Sequence, residues 1–338
     1  MHRRTFIGTL AGGLIAAPLA ARAQQAGKMY QIGLLHVGLD HTPPSLDGLR
    51  EGLRSLGYDV GTGSLPRAST VISGKNIRLD WRNLPDETTA GTTAREFVRE
   101  RANLIVAFES QAARAATAAT SEIPIVFLHV TDPVADGFVK SLAKPGGNLT
   151  GFGEFLEELF AKRIELFKEL VPHLHRLLVL TAPDDPSSTR VLTEVQKTAG
   201  MLNIGLTERP VTDQASIEQI FRSLKPGDVD GVFVPSSTLI TKFPSLIIRL
   251  ATQQHLPVPG HRREWAQQGA LFSYGANFRS VGQEAATYVD KILRGAKPDD
   301  LPVQQITRFE LVINLKTVKA LGLTIPPALL LRADQVIQ

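Results

Sequence analysis

Residues 104–130, LIVAFESQAARAATAATSEIPIVFLHV, decide the fold. The runs LIVAF (104–108) and IPIVFLHV (123–130) are apolar at successive positions instead of alternating. Strands read this way when helices cover both faces of a parallel sheet. Between them, 111–120 is alanine-rich and of helical length, with Ser110 placed to cap its first turn.

Working outward, the same alternation continues in both directions. YQIGLLHV (30–37) is a strand, followed by a helix over 44–57 in which Leu46, Leu49, Leu53 and Leu56 fall at helical spacing and Gly57 ends the run. A strand over 77–81 and a helix over 86–101 come next, while 61–74, rich in Gly, Ser and Thr, reads as a surface loop. Lys144-Pro-Gly-Gly-Asn148 breaks the pattern. A second series then begins with a helix over 156–170 and strands over 177–180, 205–208 and 231–235; Ser216 with Gln219 reads as a capping box for a helix ending near Leu224. Two βα series without a sequence repeat describe an α/β protein of two doubly wound, Rossmann-like lobes.

Composition agrees. A chain of 338 residues is long enough for two domains, and 43% hydrophobic with 21% charged residues is ordinary globular usage. The net charge of +4 is misleading: Arg3, Arg4 and Arg22 lie in 1–23, which holds no acid, and the remainder carries 34 basic against 33 acidic residues. Without a basic block the chain lacks the footprint of nucleic-acid binding. Residues 1–23 have a charged head, an apolar stretch over 6–20 and an Ala21-Arg22-Ala23 cleavage pattern, so they are expected to be an export signal removed before Gln24, by the twin-arginine or the general secretory route. That stretch is shorter than the ~20 residues of a membrane-spanning helix. With no cysteine there is no disulfide, thiolate or lipid anchor, and the expected location is the periplasm.

In doubly wound sheets ligands sit at the carboxyl ends of strands, where helix N-termini offer free N–H groups. Two such edges facing each other make a cleft. The first lobe offers Glu109, Ser110, Gln111, His129, Thr131 and Asp132, with His36 and Asp40 nearby; the second offers Asp184, Ser236, Ser237, Thr238, Glu264 and Tyr274. Glu109 suits a ligand ammonium or an arginine across the cleft, Ser110 either a carboxylate site or a plain helix cap, and Thr131-Asp132-Pro133 either binding or a turn.

Catalytic patterns are weak. Ser141-Leu-Ala-Lys144 matches S-x-x-K but has no companion motif, and there is no G-x-S-x-G elbow or phosphate loop. His36, His41 and His129 could together hold a metal, but polar cleft lining accounts for them. His173 and His175 have no ligand spacing, and Trp81 and Trp265 suit packing. No enzyme activity, cofactor or metal is expected.

The ARAQQ junction, GLLHV, AATAATSEIPIVFLHVTDPVADGFVKSLAKPGGNLTGF, AKRIELFKELVP and the tail FELVINLKTVKALGL together resemble the ABC-transporter substrate-binding proteins of the tryptophan/tyrosine type, which are periplasmic binding proteins of the type I fold. The resemblance spans essentially the whole chain. It implies two lobes joined by three hinge crossings near 148–153, 273–278 and 301–307, with lobe one formed by 28–150 plus 276–303 and lobe two by 151–275 plus 304–338. It also implies a monomer that holds a small solute, amino-acid-like or otherwise polar, and delivers it to an ABC permease driven by its ATPase, with no transmembrane segment of its own. A solute sensor feeding a receptor, a periplasmic hydrolase and a lobed transcription regulator are the alternatives. The family's Gly-Thr-Pro type turn is Glu109-Ser110-Gln111 here, and the 61–74 loop is longer, so ligand identity does not carry over.

Overall fold

The computed structural model describes residues 28–38, 43–62, 69–154, 157–183, 186–235 and 240–338. The strands are β1 (Tyr30–Val37), β2 (Thr70–Ser73), β3 (Ile77–Leu84), β4 (Leu104–Phe108), β5 (Ile125–Val130), β6 (Leu149–Gly153), β7 (Arg176–Thr181), β8 (Gly205–Pro210), β9 (Gly231–Phe233), β10 (Pro259–Gly260), β11 (Phe272–Ala276), β12 (Gln304–Gln305), β13 (Phe309–Asn314) and β14 (Gln335–Ile337). The helices are α1 (Pro44–Ser55), α2 (Glu87–Arg99), α3 (Glu109–Ala119), α4 (Glu157–Leu170), α5 (Pro186–Met201), α6 (Gln214–Ser223), α7 (Pro244–Gln253), α8 (Arg263–Gln267), α9 (Phe278–Leu293), α10 (Leu315–Ala320) and α11 (Pro327–Leu330).

The first lobe is a seven-stranded sheet in the order β12-β6-β5-β4-β1-β3-β2, parallel except for β2. All five residues of β4 are buried, and they alternate between two cores. Leu104, Val106 and Phe108 pack with Leu46, Leu49 and Val281 of α1 and α9. Ile105 and Ala107 pack with Phe97 and Ala112 of α2 and α3. Helices on both faces therefore make every position of LIVAF apolar, each large side chain contributing roughly 1.5–3 kcal/mol of burial. In the second lobe, β8-β7-β9 and β10-β11-β13-β14 form two pieces, joined by Val232 N–H donating to Pro257 O at 3.0 Å. β7 alternates likewise, with Leu177 and Val179 on one core and Leu178 and Leu180 on the other.

Three local readings shift. α3 begins at Glu109 rather than 111, and Ser110 lies in its first turn instead of capping it. The capping box of α6 is Asp213 with Ser216, three residues earlier than expected: Ser216 N–H donates to Asp213 Oδ1 at 2.7 Å. Within the expected loop, Thr70-Val-Ile-Ser73 pairs antiparallel with β3, as its β-branched residues favour.

Strand pairing also moves two expected lobe boundaries. β6 pairs with β5 as far as Gly153, so the chain leaves the first sheet there and not at 150. β12 pairs with Phe152 and Gly153, and Ile306 is buried in the first core, so the third exchange follows Ile306 and not 303. The second exchange is short, between the end of β11 at Ala276 and the start of α9 at Phe278. The three connections lie side by side: Ile306 N–H donates to Gly153 O at 3.0 Å, and Asn277 N–H donates to Arg308 O at 2.9 Å.

α1 and α9 approach unusually closely. A Cβ on Gly48 would lie 1.9 Å from Arg279 O, and one on Gly282 would lie 1.9 Å from Ser45 O. Only glycine permits that approach. Among the described residues, no helix is long and apolar enough to cross a membrane.

Candidate functional site

The carboxyl ends of β1, β4 and β5 bring His36, Glu109 and His129 to one pocket, which Arg262 and Glu264 close from the second lobe. Two of these residues have left-handed backbones, Glu109 at φ 69° and His129 at φ 61°, and the latter coincides with a register shift between Leu128 and Val130. For a non-glycine residue that conformation costs roughly 1–2 kcal/mol, and such strain concentrates at functional sites. Asn277 N-caps α9, its side chain accepting from Ser280 N–H, and this places Phe278 in the pocket wall. The Phe278 ring meets His129 edge-on at 4.3 Å and the Arg262 guanidinium at 4.9 Å. Pro43, Pro44 and Ser45 at the start of α1 complete that wall, held by the glycine contact with α9.

Arg262 follows the two-residue strand β10, and its Nη2 donates to Glu109 Oε1 at 2.7 Å, an ion pair across the cleft. His36 Nε2 stands 3.7 Å from the same oxygen, too long for a hydrogen bond. His129 Nδ1 is 3.2 Å from Glu154 Oε1 at the end of β6. Burial pushes the Glu109 carboxyl up, but Arg262 and His36 outweigh it and hold it well below the usual carboxylate range. Burial likewise opposes the charge on Arg262, and Glu109, Glu154 and Glu264 raise it above the ordinary arginine value. His261 is driven well below the usual histidine range, first by burial and then by Arg262 and Arg163. Burial pushes Arg163 down to about 10; its Nε donates to Tyr274 O at 3.0 Å.

Both ring nitrogens of His36, His129 Nε2, Arg262 Nε and Glu264 Oε2 are buried without a hydrogen-bond partner. Each such atom costs about 1–3 kcal/mol, and native proteins keep few of them. Here they gather on one pocket, drawn from both lobes, whose free space of ≈ 10 Å³ is about that of one water.

Of the residues expected from sequence, Glu109, His129 and Glu264 come together here. Ser110, Gln111, Thr131 and Asp132 stand half-buried on the same edge, outside the pocket lining. Ser110 Oγ donates to Asp136 Oδ2 at 3.1 Å, and Asp132 Oδ1 accepts from Val134 and Ala135 N–H at 3.2 and 2.9 Å, the turn alternative. Tyr274 lies apart, its ring 6.1 Å from Phe309, in a groove with Lys162 and Glu165. Asp184, Ser236, Ser237 and Thr238 lie outside the described residues or have no described side chain, as do Asp40, His41 and the leader. Ser141 of the S-x-x-K run serves a turn, its hydroxyl donating to Lys144 O at 3.1 Å. Arg262 and Phe278 were not anticipated. An arginine doublet follows Pro259-Gly260-His261 directly, but nothing in the sequence sets it opposite Glu109.

The sequence pattern that describes ABC transporter substrate binding proteins fits residues 36–337. This chain belongs to that family. A tyrosine-binding protein of Clostridioides difficile is 30% identical over 297 residues, 88% of this chain and 82% of that protein. An ABC domain from Streptococcus pneumoniae, solved in complex with L-Trp, is 25% identical with a TM-score of 0.76, covering 92% of this chain and 100% of that one. The ligand-free, open structure of a substrate-binding protein with adhesive properties from Clostridium difficile is 27% identical with a TM-score of 0.68, over the same shares. The two-lobed architecture of this substrate-binding protein is thus that of periplasmic binding proteins of the type I fold.

Proposed function

We propose that this substrate-binding protein captures a free amino acid, in the first place an aromatic one, between its lobes. It releases the solute unchanged to a membrane permease powered by a separate ATPase. The observation that carries this reading is the set of buried, unpartnered polar atoms contributed by both lobes to one cleft. The rings of Phe108 and Phe278 beside them suit an aromatic side chain, and relatives named for tyrosine and solved with L-Trp support the class. Contacts made by both lobes at once exist only when the lobes are together, so a solute that makes them shifts the population toward closure. Glu109, His129 and Glu264, joined by His36, Arg262 and Phe278, are the binding residues in this reading. Export with removal of 1–23, a periplasmic location and a monomeric state complete it.

The test is a thermal-shift screen of the amino acids, with the solute recovered and analysed by mass spectrometry. L-tyrosine or L-tryptophan at 100 times its dissociation constant adds ~2.7 kcal/mol of stability and is recovered intact. No shift with any amino acid, or a chemically altered solute, overturns the proposal.

A further inference from the structure

Resting on that reading of the cleft, we infer that the Glu109–Arg262 ion pair stands in for the solute's own charges: a zwitterion parts it by giving an ammonium to Glu109 and a carboxylate to Arg262, and solutes lacking either charge are rejected.

Space comes first. Beside the pair the pocket holds ≈ 10 Å³, about one water, so an amino acid enters only where the pair has parted and the lobes stand further apart. Charge comes second. Separating a partly desolvated pair without replacing both partners strands two charges, which is strongly unfavourable. A free amino acid carries both replacements on one carbon.

The unpartnered atoms match this exchange. An ammonium has three donors. The His129 tautomer that donates from Nδ1 to Glu154 Oε1 leaves Nε2 as an acceptor. Glu109, Glu264 Oε2 and His129 Nε2 then supply three acceptors on one pocket. On the other side, Arg262 Nε is free and its Nη2 is released from Glu109, leaving a side-on fork for a carboxylate. Glu109 also stands at a left-handed backbone position, which a residue kept only for helix geometry would vacate for glycine.

Calorimetric titration with L-tyrosine, tyramine and 3-(4-hydroxyphenyl)propionate tests the exchange. The protein binds L-tyrosine at least about tenfold more tightly than either analogue. Glu109→Gln weakens L-tyrosine and tyramine at least about tenfold and leaves the propionate within about threefold; Arg262→Gln weakens L-tyrosine and the propionate and spares tyramine. An analogue that binds as tightly as L-tyrosine, or an unchanged L-tyrosine affinity in Glu109→Gln, overturns the inference while leaving amino-acid capture standing. X-ray scattering without solute reads the pair separately: Glu109→Gln and Arg262→Gln widen the lobe separation and Glu109→Asp retains it, whereas an unchanged separation in the first two shows that the pair does not tie the lobes. If no amino acid binds although the scattering responds, amino-acid capture fails, the exchange fails with it, and the pair is only a structural tie.

Discussion

The two walls of the cleft are built from different material. On the first, His36, Glu109 and His129 end or directly follow β1, β4 and β5, three neighbours of one continuous sheet whose strands are buried on both faces. On the second, Arg262 and Glu264 follow a two-residue strand and occupy the start of a five-residue helix, in the part of the sheet tied to β9 through the Val232–Pro257 hydrogen bond. The first wall fixes where a charge stands. The second supplies reach, a guanidinium on a long stem that can change partners while its backbone stays in place.

The largest expected effect breaks the fixed wall. Gly282→Ala drives a methyl group into Ser45 O and lowers stability by about 1–3 kcal/mol in chemical denaturation; a smaller loss means α1 and α9 can separate cheaply. Next comes the pH dependence of the other wall. The folded value of His261 lies below its unfolded one, so below about pH 6.5 the unfolded chain binds a proton that the folded chain refuses. Stability is therefore full above the ordinary histidine value and falls as pH drops below it, by at most about 1.4 kcal/mol per pH unit. His261→Gln should flatten that slope, and parallel curves for the two proteins would refute it.

A finer test separates backbone strain from charge. Glu109→Gly removes both the left-handed cost and the ion pair, whereas Glu109→Ala loses the pair and keeps the strain, so the glycine variant is the more stable by about 1 kcal/mol in thermal melts. The smallest effect lies away from the cleft. A methyl group on Gly91 in α2 would meet only Arg95 Nη1, at 3.6 Å, so Gly91→Ala stabilises by about 0.5–1 kcal/mol. A loss there would mean that tolerance of a methyl group does not follow the contact distances.

What was legible follows from how each residue is held. LIVAF and the run before Val130 declared a doubly covered sheet because two cores each demand alternate side chains. Glu109 and His129 were legible because they end or directly follow such runs. Arg262 was not, since Pro259–Gly260 is too short to show a strand periodicity and the tertiary fold alone brings it to Glu109. Phe278 at the head of an amphipathic helix looks like any core aromatic, and only its neighbours His129 and Arg262 make it part of the cleft. The lobe boundaries moved because Gly153 and Ile306 are held by strand pairing and burial, which the Lys144–Asn148 break does not report.

The three inter-lobe connections have a mechanical consequence. Stitched edge to edge by Ile306 with Gly153 and by Asn277 with Arg308, they act as a narrow ribbon. Such a ribbon flexes across its thin direction far more readily than it shears in its own plane. In the closure proposed for this protein the halves are left with one dominant swing, and every return stroke re-aims the same arginine at the same carboxylate.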